Sequence, residues 1–519
     1  MLRSRLLPRG ANRYRRSPVG DSVPLGRFLG DEFMTDGDRP FRDPSPERWQ
    51  SFLASVPLYR DDDDPAFWSD ERLRCRRNEL LTRQMGWLAA GSPHYQAMFQ
   101  RIGVDPAAIT TTDDLLRLPV TTKQDLMADP GSFRLRLSDL GVYDLTYATV
   151  YTTGTTAGVP TPYQYTTHDY LGVLSAGRRM YKHLGLRPGD QLLTLFPISP
   201  LPHVAGFAGM MANSAGLSFS HGFTGMSYPD FPVHRPMSSV LDRVMTERPQ
   251  VVAGIGSFIR RMLMDADSQR ADLSSLQVIV SSGEVLTARM RQQMHWRLEA
   301  CGARGVFIAS TYAFTEGAIP WVPSGEDTPL YAVAPDQIFL EVLDPDTHAR
   351  QPDGEPGLVA LTHLNRRGMP LVRYLLGDIS AISHEPCPRS GRRGEALVVS
   401  SGSAHVSRTS ELLKIKGTLV NPQVIHDIVM NTACVVEYQV VVTNAVQGDP
   451  LSPDRLLLRL GLDSEAPERW LAEAGEDLRR RVRGGTEVTP DLELVRQSEI
   501  YDPIMDFKAR RIVDDRAIE

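Results

Sequence analysis

Short apolar strands alternate with amphipathic helices in the middle of the chain, and this alternation limits the possible folds more than any other feature. Val251–Ala253 and Val278–Val280 are two such strands, and each is followed by a helical pattern of apolar and charged residues. Strands separated by helices pair in parallel, and each helix crosses one face of the sheet. Ligands of such sheets lie outside the carboxyl ends of the strands. The pattern therefore predicts an α/β domain with a binding site at that edge.

The chain divides into three regions by composition. Residues 1–45 are rich in arginine and lack acidic residues before Asp21. Because no apolar segment of the signal-peptide type follows, we favour a disordered, solvated extension over a targeting segment. Residues 46–407 are expected to form the large domain. From about Arg408 the strands become short and the turns polar, which predicts a compact α+β domain over residues 408–519.

The overall composition indicates an enzyme that acts on small molecules. The 519 residues carry a formal net charge of -6, so electrostatics give no reason to expect nucleic acid or an anionic membrane as a partner. The longest charge-free region, Gln191–Pro229, contains prolines and is too short in its unbroken part to span a bilayer. Four cysteines without CxxC spacing indicate neither a disulfide framework nor a zinc site. We expect a reducing, cytoplasmic location.

A loop rich in threonine and glycine lies in the stretch VYTTGTTAGVPTPYQYT, from Val150 to Thr166, between two β-rich strings. Glycines let the backbone approach a ligand closely, and N–H groups and hydroxyls can converge on phosphate oxygens. The loop lacks the Gly-Lys-Ser/Thr of a P-loop. On these residues alone, a phosphate site and a plain hairpin connection both remain open. The residues concerned are Thr152, Thr153, Gly154, Thr155 and Thr156.

Further motifs follow this loop in a fixed order. They are SSGE at 281–284, STYAFTEG at 310–317, VRYLLGD at 372–378, SRTSELLKIKG at 407–417 and FKARRIVD at 507–514. Together with the loop, this series resembles the adenylate-forming (ANL) superfamily from about Pro65 to Asp514, and the segment that begins SPHYQAMF resembles its phenylacetate-CoA ligase branch. The resemblance implies a large N-terminal domain of α/β subdomains with a small β-barrel, and a mobile, small α+β C-terminal domain.

The resemblance also implies which residues bind the nucleotide. The threonine-glycine loop is expected to fold over the β- and γ-phosphates of ATP. Glu316 is expected to hold Mg²⁺, a role that suits a carboxylate because hard cations prefer oxygen ligands. Asp378 is expected to accept hydrogen bonds from both ribose hydroxyls, which two carboxylate oxygens permit. The remaining expected contacts, with Tyr312 stacking on adenine, are Ser282, Gly283, Glu284, Tyr312, Thr315 and Arg408.

Catalytic roles follow from the same resemblance. Lys508 is expected to bridge the carboxylate and the α-phosphate, and His203 to face the bound carboxylate and gate the path of the nucleophile. On residues alone, Lys508 could equally be a surface lysine and His203 a core side chain. The acid pocket is expected to be apolar and aromatic, which favours an aryl or arylalkyl acid. Its expected residues are Phe207, Met210, Met211, Phe223, Ile255 and Phe314.

The implied reaction has two steps. A carboxylate attacks the α-phosphate of Mg-ATP to give an acyl-adenylate and pyrophosphate, and the small domain then rotates so that a thiol, first of all CoA, takes the acyl group. Val159, Ser410 and Phe507 depart from the lysine, aspartate and glycine usual in relatives. A carrier protein, an amine or nitrite therefore remains an alternative acceptor. A second alternative is a non-catalytic protein that binds a nucleotide. Whether the chain forms a homodimer also stays open. Ser390 in place of a second cysteine near Cys387 argues against zinc.

Overall fold

A computed structural model describes residues 46–56, 62–151, 161–196, 204–222, 224, 237–284, 286–398, 407–408, 413–415, 418–446, 452–463, 467–502 and 509–516. Several predicted features lie outside these ranges. They are the extension 1–45, the loop residues Thr152, Thr153, Gly154, Thr155 and Thr156, the departures Val159, Ser410 and Phe507, and the site residues His203, Phe223 and Lys508.

Within the described ranges the helices are α1 (Pro46–Ser55), α2 (Asp70–Gly91), α3 (Pro93–Ile102), α4 (Lys123–Ala128), α5 (Thr167–His183), α6 (Val204–Ser214), α7 (Met237–Glu247), α8 (Gly256–Gln269), α9 (Ala288–Ala300), α10 (Pro422–Met430), α11 (Pro467–Thr486) and α12 (Gln497–Ile500). The strands are β1 (Thr146–Tyr151), β2 (Pro162–Thr166), β3 (Gln191–Thr194), β4 (Ser218–His221), β5 (Val251–Ile255), β6 (Val278–Ser282), β7 (Phe307–Thr311), β8 (Trp321–Val322), β9 (Leu330–Ala332), β10 (Ile338–Leu343), β11 (Gly357–His363), β12 (Tyr374–Ser383), β13 (Ala396–Val398), β14 (Ser407–Arg408), β15 (Leu413–Ile415), β16 (Thr418–Val420), β17 (Val435–Asn444), β18 (Asp454–Leu462), β19 (Asp491–Leu494) and β20 (Ile512–Asp514).

The predicted parallel sheet has five strands in the order β4-β3-β5-β6-β7. α8 joins β5 to β6 and α9 joins β6 to β7, so each helix is a crossover connection. Every residue of β5 is buried, as expected for a central strand covered on both faces. Val251 lies opposite Val278 in a parallel register. The prediction of an α/β fold built on these two strands is confirmed.

A second, antiparallel sheet has the order β10-β11-β12-β13-β9-β8, with β14 paired to β12. The long strand β12 is central to this sheet, because it pairs with β11, β13 and β14 along its length. The strands β1 and β2 form an antiparallel hairpin on either side of the threonine-glycine loop, and Tyr151 lies opposite Pro162.

The C-terminal part contains a four-stranded sheet in the order β19-β18-β17-β20, covered by α10 and α11. One cluster of buried apolar side chains extends from α8 and α9 to this small sheet. It includes Ile259, Met294, Val440 and Leu458. The predicted domain bounds at residues 407 and 408 stay a prediction.

Candidate active site

The carboxyl ends of three parallel strands lie side by side at one edge of the sheet. Ile255, the last residue of β5, is opposite Ser282 of β6, which is opposite Thr311 of β7. Gly283 follows β6 with a φ of 80°, a left-handed conformation that a side chain disfavours. The motif SSGE therefore forms a tight turn where ligands of parallel sheets bind.

Tyr312 and Asp378 come from different sheets and meet at this edge. The Tyr312 hydroxyl donates to Oδ2 of Asp378 over 2.6 Å. Asp378 is buried on β12, and its backbone lies opposite Arg408 of β14. The structure thus brings together the residue expected at the adenine and the residue expected at the ribose, and it places the backbone of Arg408 beside them.

The turn that carries Glu316 is held by its backbone carbonyls. The Tyr165 hydroxyl donates to the carbonyl oxygen of Thr315, in a short hydrogen bond. Nε2 of His363 lies 3.1 Å from the carbonyl oxygen of Glu316. Nη2 of Arg366 donates to the carbonyl oxygen of Gly317 over 2.7 Å. Three consecutive carbonyls therefore have buried donors.

The protonation state of His363 follows from its two neighbours. Nδ1 accepts the backbone N–H of Leu371 over 3.0 Å, so the proton of a neutral ring is on Nε2 and points to Glu316. Burial and the nearby Arg366 guanidinium hold the pKa of His363 well below its usual range. The ring is therefore neutral and acts as a donor.

The side chain of Glu316 has an aromatic partner on β12. The Tyr374 hydroxyl forms a hydrogen bond with it, and burial together with this carboxylate raises the pKa of Tyr374. The carboxylate is half-buried, and it suits a hard cation by its oxygen donors. Among the described residues no three His, Cys, Asp or Glu side chains assemble into a metal site. A single protein carboxylate next to phosphate oxygens is a common arrangement for Mg²⁺.

Glu284 is engaged by the helix that begins nearby. Its carboxylate accepts the backbone N–H of Ser257 over 2.7 Å and the Ser257 hydroxyl over 3.0 Å. A carboxylate at the first turn of a helix is stabilised by the helix dipole. In this structure Glu284 therefore caps α8, and the adenine contact expected of it stays a prediction.

The described residues of the expected acid pocket differ in burial. Phe207 and Phe314 are partly buried, and Phe207 lies 5.7 Å from the Tyr165 ring while Phe314 lies 5.7 Å from the Trp321 ring, both measured between centroids. Met211 and Ile255 are buried in the core. Met210 lies between these extremes on α6 and is half-buried. Phe314 thus lies two residues before Glu316 in the chain, and Phe207 lies next to the Tyr165 ring, whose hydroxyl binds the Glu316 turn.

Four residues near the site were not expected from the sequence. They are Tyr165, His363, Arg366 and Tyr374. All four are buried polar or aromatic side chains that contact the Glu316 turn. The segment LTHLNRRGMPLVRY, which holds three of the four, contained a signal, because three arginines and a histidine in an apolar stretch need buried partners.

The chain is similar to enzymes of known activity. A family model described as AMP-binding enzyme matches residues 143–363. A phenylacetate-coenzyme A ligase of Thermus thermophilus is 27% identical over 384 residues, covering 72% of this chain and 78% of that protein. The Escherichia coli enzyme of the same name is 24% identical, covering 85% of this chain and 95% of its own.

These matches support the ANL superfamily, and within it the phenylacetate-CoA ligase-like branch. A solved 2-hydroxyisobutyryl-CoA ligase in complex with 2-HIB-AMP has the same fold, with a TM-score of 0.69 at 21% identity over 87% of this chain and 91% of that one. The predicted resemblance to this superfamily and the predicted enzyme class, an AMP-forming ligase, are confirmed by the family model and the relatives, and the predicted fold class is confirmed by the solved structure. Among the helices of the described residues, none combines the length and apolarity that crossing a membrane requires.

Proposed function

We propose that this protein activates a carboxylic acid with ATP and transfers the acyl group to CoA. In the first step a carboxylate oxygen bonds to the α-phosphorus, the bond from that phosphorus to the bridging oxygen breaks, and pyrophosphate leaves. In the second step a thiol attacks the acyl carbonyl and AMP leaves. The meeting of Tyr312 and Asp378 at the carboxyl edge of the sheet, beside the Glu316 turn, is the observation that carries this proposal.

The nucleotide site follows from the same geometry. Asp378 would accept the ribose hydroxyls through carboxylate oxygens, with Tyr312 holding one oxygen in place. Glu316 would hold Mg²⁺, which neutralises phosphate charge when bound. The side chain of Glu316 is fixed by Tyr374, so the carboxylate is oriented in advance. Ser282, Gly283 and Thr315 would supply polar contacts around the nucleotide.

The remaining catalytic groups rest on the motifs. Lys508 would bring a positive charge to the α-phosphate and the carboxylate as negative charge builds in the transition state. A fixed cation in a cleft closed to water contributes about 3–4 kcal/mol in comparable sites. Thr152–Thr156 would cover the β- and γ-phosphates, and His203 would face the acid. These roles are supported by the order of the motifs and by the family.

We infer an aryl or arylalkyl acid as the substrate. Support comes from two partly buried phenylalanine rings, Phe314 two residues before Glu316 and Phe207 next to Tyr165, and from relatives named phenylacetate-coenzyme A ligase. An apolar pocket with aromatic rings favours an apolar acid of matching size. We also infer a reducing, cytoplasmic location, because all four cysteines are free thiols.

The test is a mass-spectrometric screen of carboxylic acids with Mg-ATP, in which hydroxylamine traps each adenylate as a hydroxamate. We expect hydroxamate from phenylacetate-type acids and an acid-dependent exchange of labelled pyrophosphate into ATP, both lost in Lys508→Ala. CoA, amines, a carrier protein and nitrite are then offered in parallel, and the product mass identifies the acceptor. ATP binding without hydroxamate from any acid would overturn the proposal in favour of a non-catalytic nucleotide-binding protein.

A further inference from the structure

We propose that Tyr165, His363 and Arg366 are positioning residues, which fix the Glu316 turn so that its carboxylate is ready for a divalent cation. This inference rests on the proposed function, because it gives the turn its purpose. None of the three side chains is expected to touch ATP or the acid. They act on the turn through its backbone.

The three donors come from parts of the chain far apart in sequence. Tyr165 is on β2, His363 ends β11, and Arg366 follows three residues later. All three are buried. A buried carbonyl that loses its donor is strongly disfavoured, so three donors on consecutive carbonyls leave the turn little freedom to rotate its peptides.

The donors are themselves fixed by a buried carboxylate. Asp169 accepts the backbone N–H of Arg367 and that of Gly368, each over 2.8 Å. Burial raises the pKa of Asp169, but the adjacent His168 ring, 3.7 Å away, and the Arg366 charge outweigh it and hold this pKa well below the usual range. A side chain at Gly368 would place its Cβ 2.4 Å from the carbonyl oxygen of Gln164, so the close approach requires glycine. The segment that carries Arg366 is thus attached to β2 and the start of α5.

The charges in this cluster favour a cation at the turn. Arg366 alone would repel a divalent ion, but the ionised carboxylate of Asp169 is bound to the backbone of the next two residues and supplies the opposite charge. The guanidinium also lies over the Tyr165 ring, 4.7 Å from its centroid. The positive charge of Arg366 is therefore balanced within the core, and the half-buried carboxylate of Glu316 is left to hold the expected cation.

The chain offers a matched control two residues away. Tyr163 is on the same strand and is fully buried like Tyr165. Its hydroxyl also makes a short hydrogen bond to a backbone carbonyl, but that carbonyl belongs to Met369 and lies outside the turn. Its ring lies 6.0 Å from the Arg366 guanidinium. Tyr163→Phe and Tyr165→Phe thus remove the same group from the same environment, and only the second releases the turn.

The experiment compares these two variants of the full chain in two measurements. The first is hydrogen–deuterium exchange of residues 312–320 without ligand. The second is Mn²⁺ titration in the presence of a non-hydrolysable ATP analogue, with free Mn²⁺ followed by electron paramagnetic resonance. In Tyr165→Phe we expect faster exchange at the turn and Mn²⁺ binding weakened about ten-fold, the range seen when groups that orient a metal ligand are lost. In Tyr163→Phe we expect both values to match the native protein.

Equal effects in the two variants, or no effect in Tyr165→Phe, would overturn the inference. Arg366→Lys is the second variant, for use if Tyr165→Phe does not fold. It keeps the charge and one donor, so it should show a smaller effect than Arg366→Gln. Failure of the proposed function has a different signature, namely faster exchange at the turn in Tyr165→Phe while the native protein binds no nucleotide analogue.

Discussion

Two buried contacts of this protein are built in opposite ways. The Glu316 turn is held by donors to backbone carbonyls, and two of its three donors, Tyr165 and His363, are neutral. The contact between α8 and the small C-terminal sheet is held by charged side chains. Glu437 of β17 lies between Arg260 of α8, at 3.8 Å, and Arg511, with which it makes a short ion pair.

The two contacts are expected to respond differently to ionic strength and to the loss of one side chain. The strength of a hydrogen bond between a neutral donor and a carbonyl depends little on ionic strength. When one of the three donors is lost, the other two still hold the turn. A buried charge depends on its partner, because removing one member leaves the other unpaired in a medium that solvates it poorly. Arg511 lies three residues after Lys508, so the ionic contact also fixes the chain next to the expected catalytic lysine. We therefore expect the ionic contact to be the more fragile of the two.

The largest effect is expected from Arg260→Ala. Arg260 is buried, and its Nη2 also donates to the carbonyl oxygen of Val436 over 2.8 Å. Loss of the buried ion pair and of this donor should lower the free energy of opening of β17 by about 3–5 kcal/mol. The measurement is the free energy of opening of β17, from native-state hydrogen exchange of its amides.

Arg261→Ala is the matched control for this prediction. Arg261 is the next residue of α8, and its Nη1 donates to Oε1 of Gln497 over 2.9 Å, but its side chain is 39% exposed. An exposed polar contact of this kind is worth less than about 1 kcal/mol. A similar cost for the two variants would show that burial of the Arg260 charge does not decide the strength of the contact.

The next effect in size is expected from Glu316→Gln. The substitution leaves the backbone anchors in place and removes only the negative charge, so stability should change little. Acid-dependent pyrophosphate exchange should fall about a hundred-fold, close to 3 kcal/mol in transition-state stabilisation. Glu355→Gln, at an exposed position, should retain the native rate. If Glu316→Gln exchanged pyrophosphate at the native rate, Glu316 would not be the residue that holds the metal.

A smaller effect is expected from Asp378→Asn. The amide keeps the shape of the side chain but loses the charge that accepts the Tyr312 hydroxyl. Hydrogen bonds to charged groups contribute about 1.5–3 kcal/mol, so the KM for ATP should rise about 10- to 100-fold. Tyr312→Phe removes only the partner and should raise KM less. An unchanged KM in Asp378→Asn would mean that ATP binds elsewhere.

The sequence predicts the parallel sheet and the motif residues of the site. It does not predict the side chains that hold the Glu316 turn, and the reason is physical. The parallel strands follow from local periodicity around Val251 and Val278, which depends on neighbours in the chain. Glu316 and Asp378 were predicted as site residues because they lie in motifs that resemble those of the adenylate-forming superfamily. The anchors of the turn were not, because the hydroxyl of Tyr165 meets a carbonyl 150 residues away, and only tertiary packing brings such groups together.

Glu284 shows the opposite limit of the motifs. The stretch SSGE is placed at the edge of the sheet as expected, yet the carboxylate caps α8 through Ser257. A motif predicts the local conformation of the backbone. The partner of each side chain depends on which helices and strands from other parts of the chain pack against it. The same holds for the contact between Arg260 and Glu437, since neither residue lies in a recognised motif.

The smallest predicted effect concerns pH, and it tests whether the Glu316 turn depends on a neutral histidine. The usual pKa of histidine is about 6.5, and that of His363 in the folded protein is well below it. Above pH 6.5 neither the folded nor the unfolded chain protonates this ring. Below it the unfolded chain binds a proton that the folded chain does not, so the free energy of unfolding falls by up to about 1.4 kcal/mol per pH unit.

His363→Gln isolates this contribution from that of the other histidines. Glutamine can donate to the same carbonyl and does not titrate, so the variant should lose less stability than the native protein when the pH is lowered from 7 to 5. Urea unfolding at several pH values measures the difference between the two curves. Parallel curves would mean that the pKa of His363 is the same in the folded and unfolded chain, and since Nδ1 accepts the backbone N–H of Leu371, such an unshifted ring would also require a different arrangement of the turn.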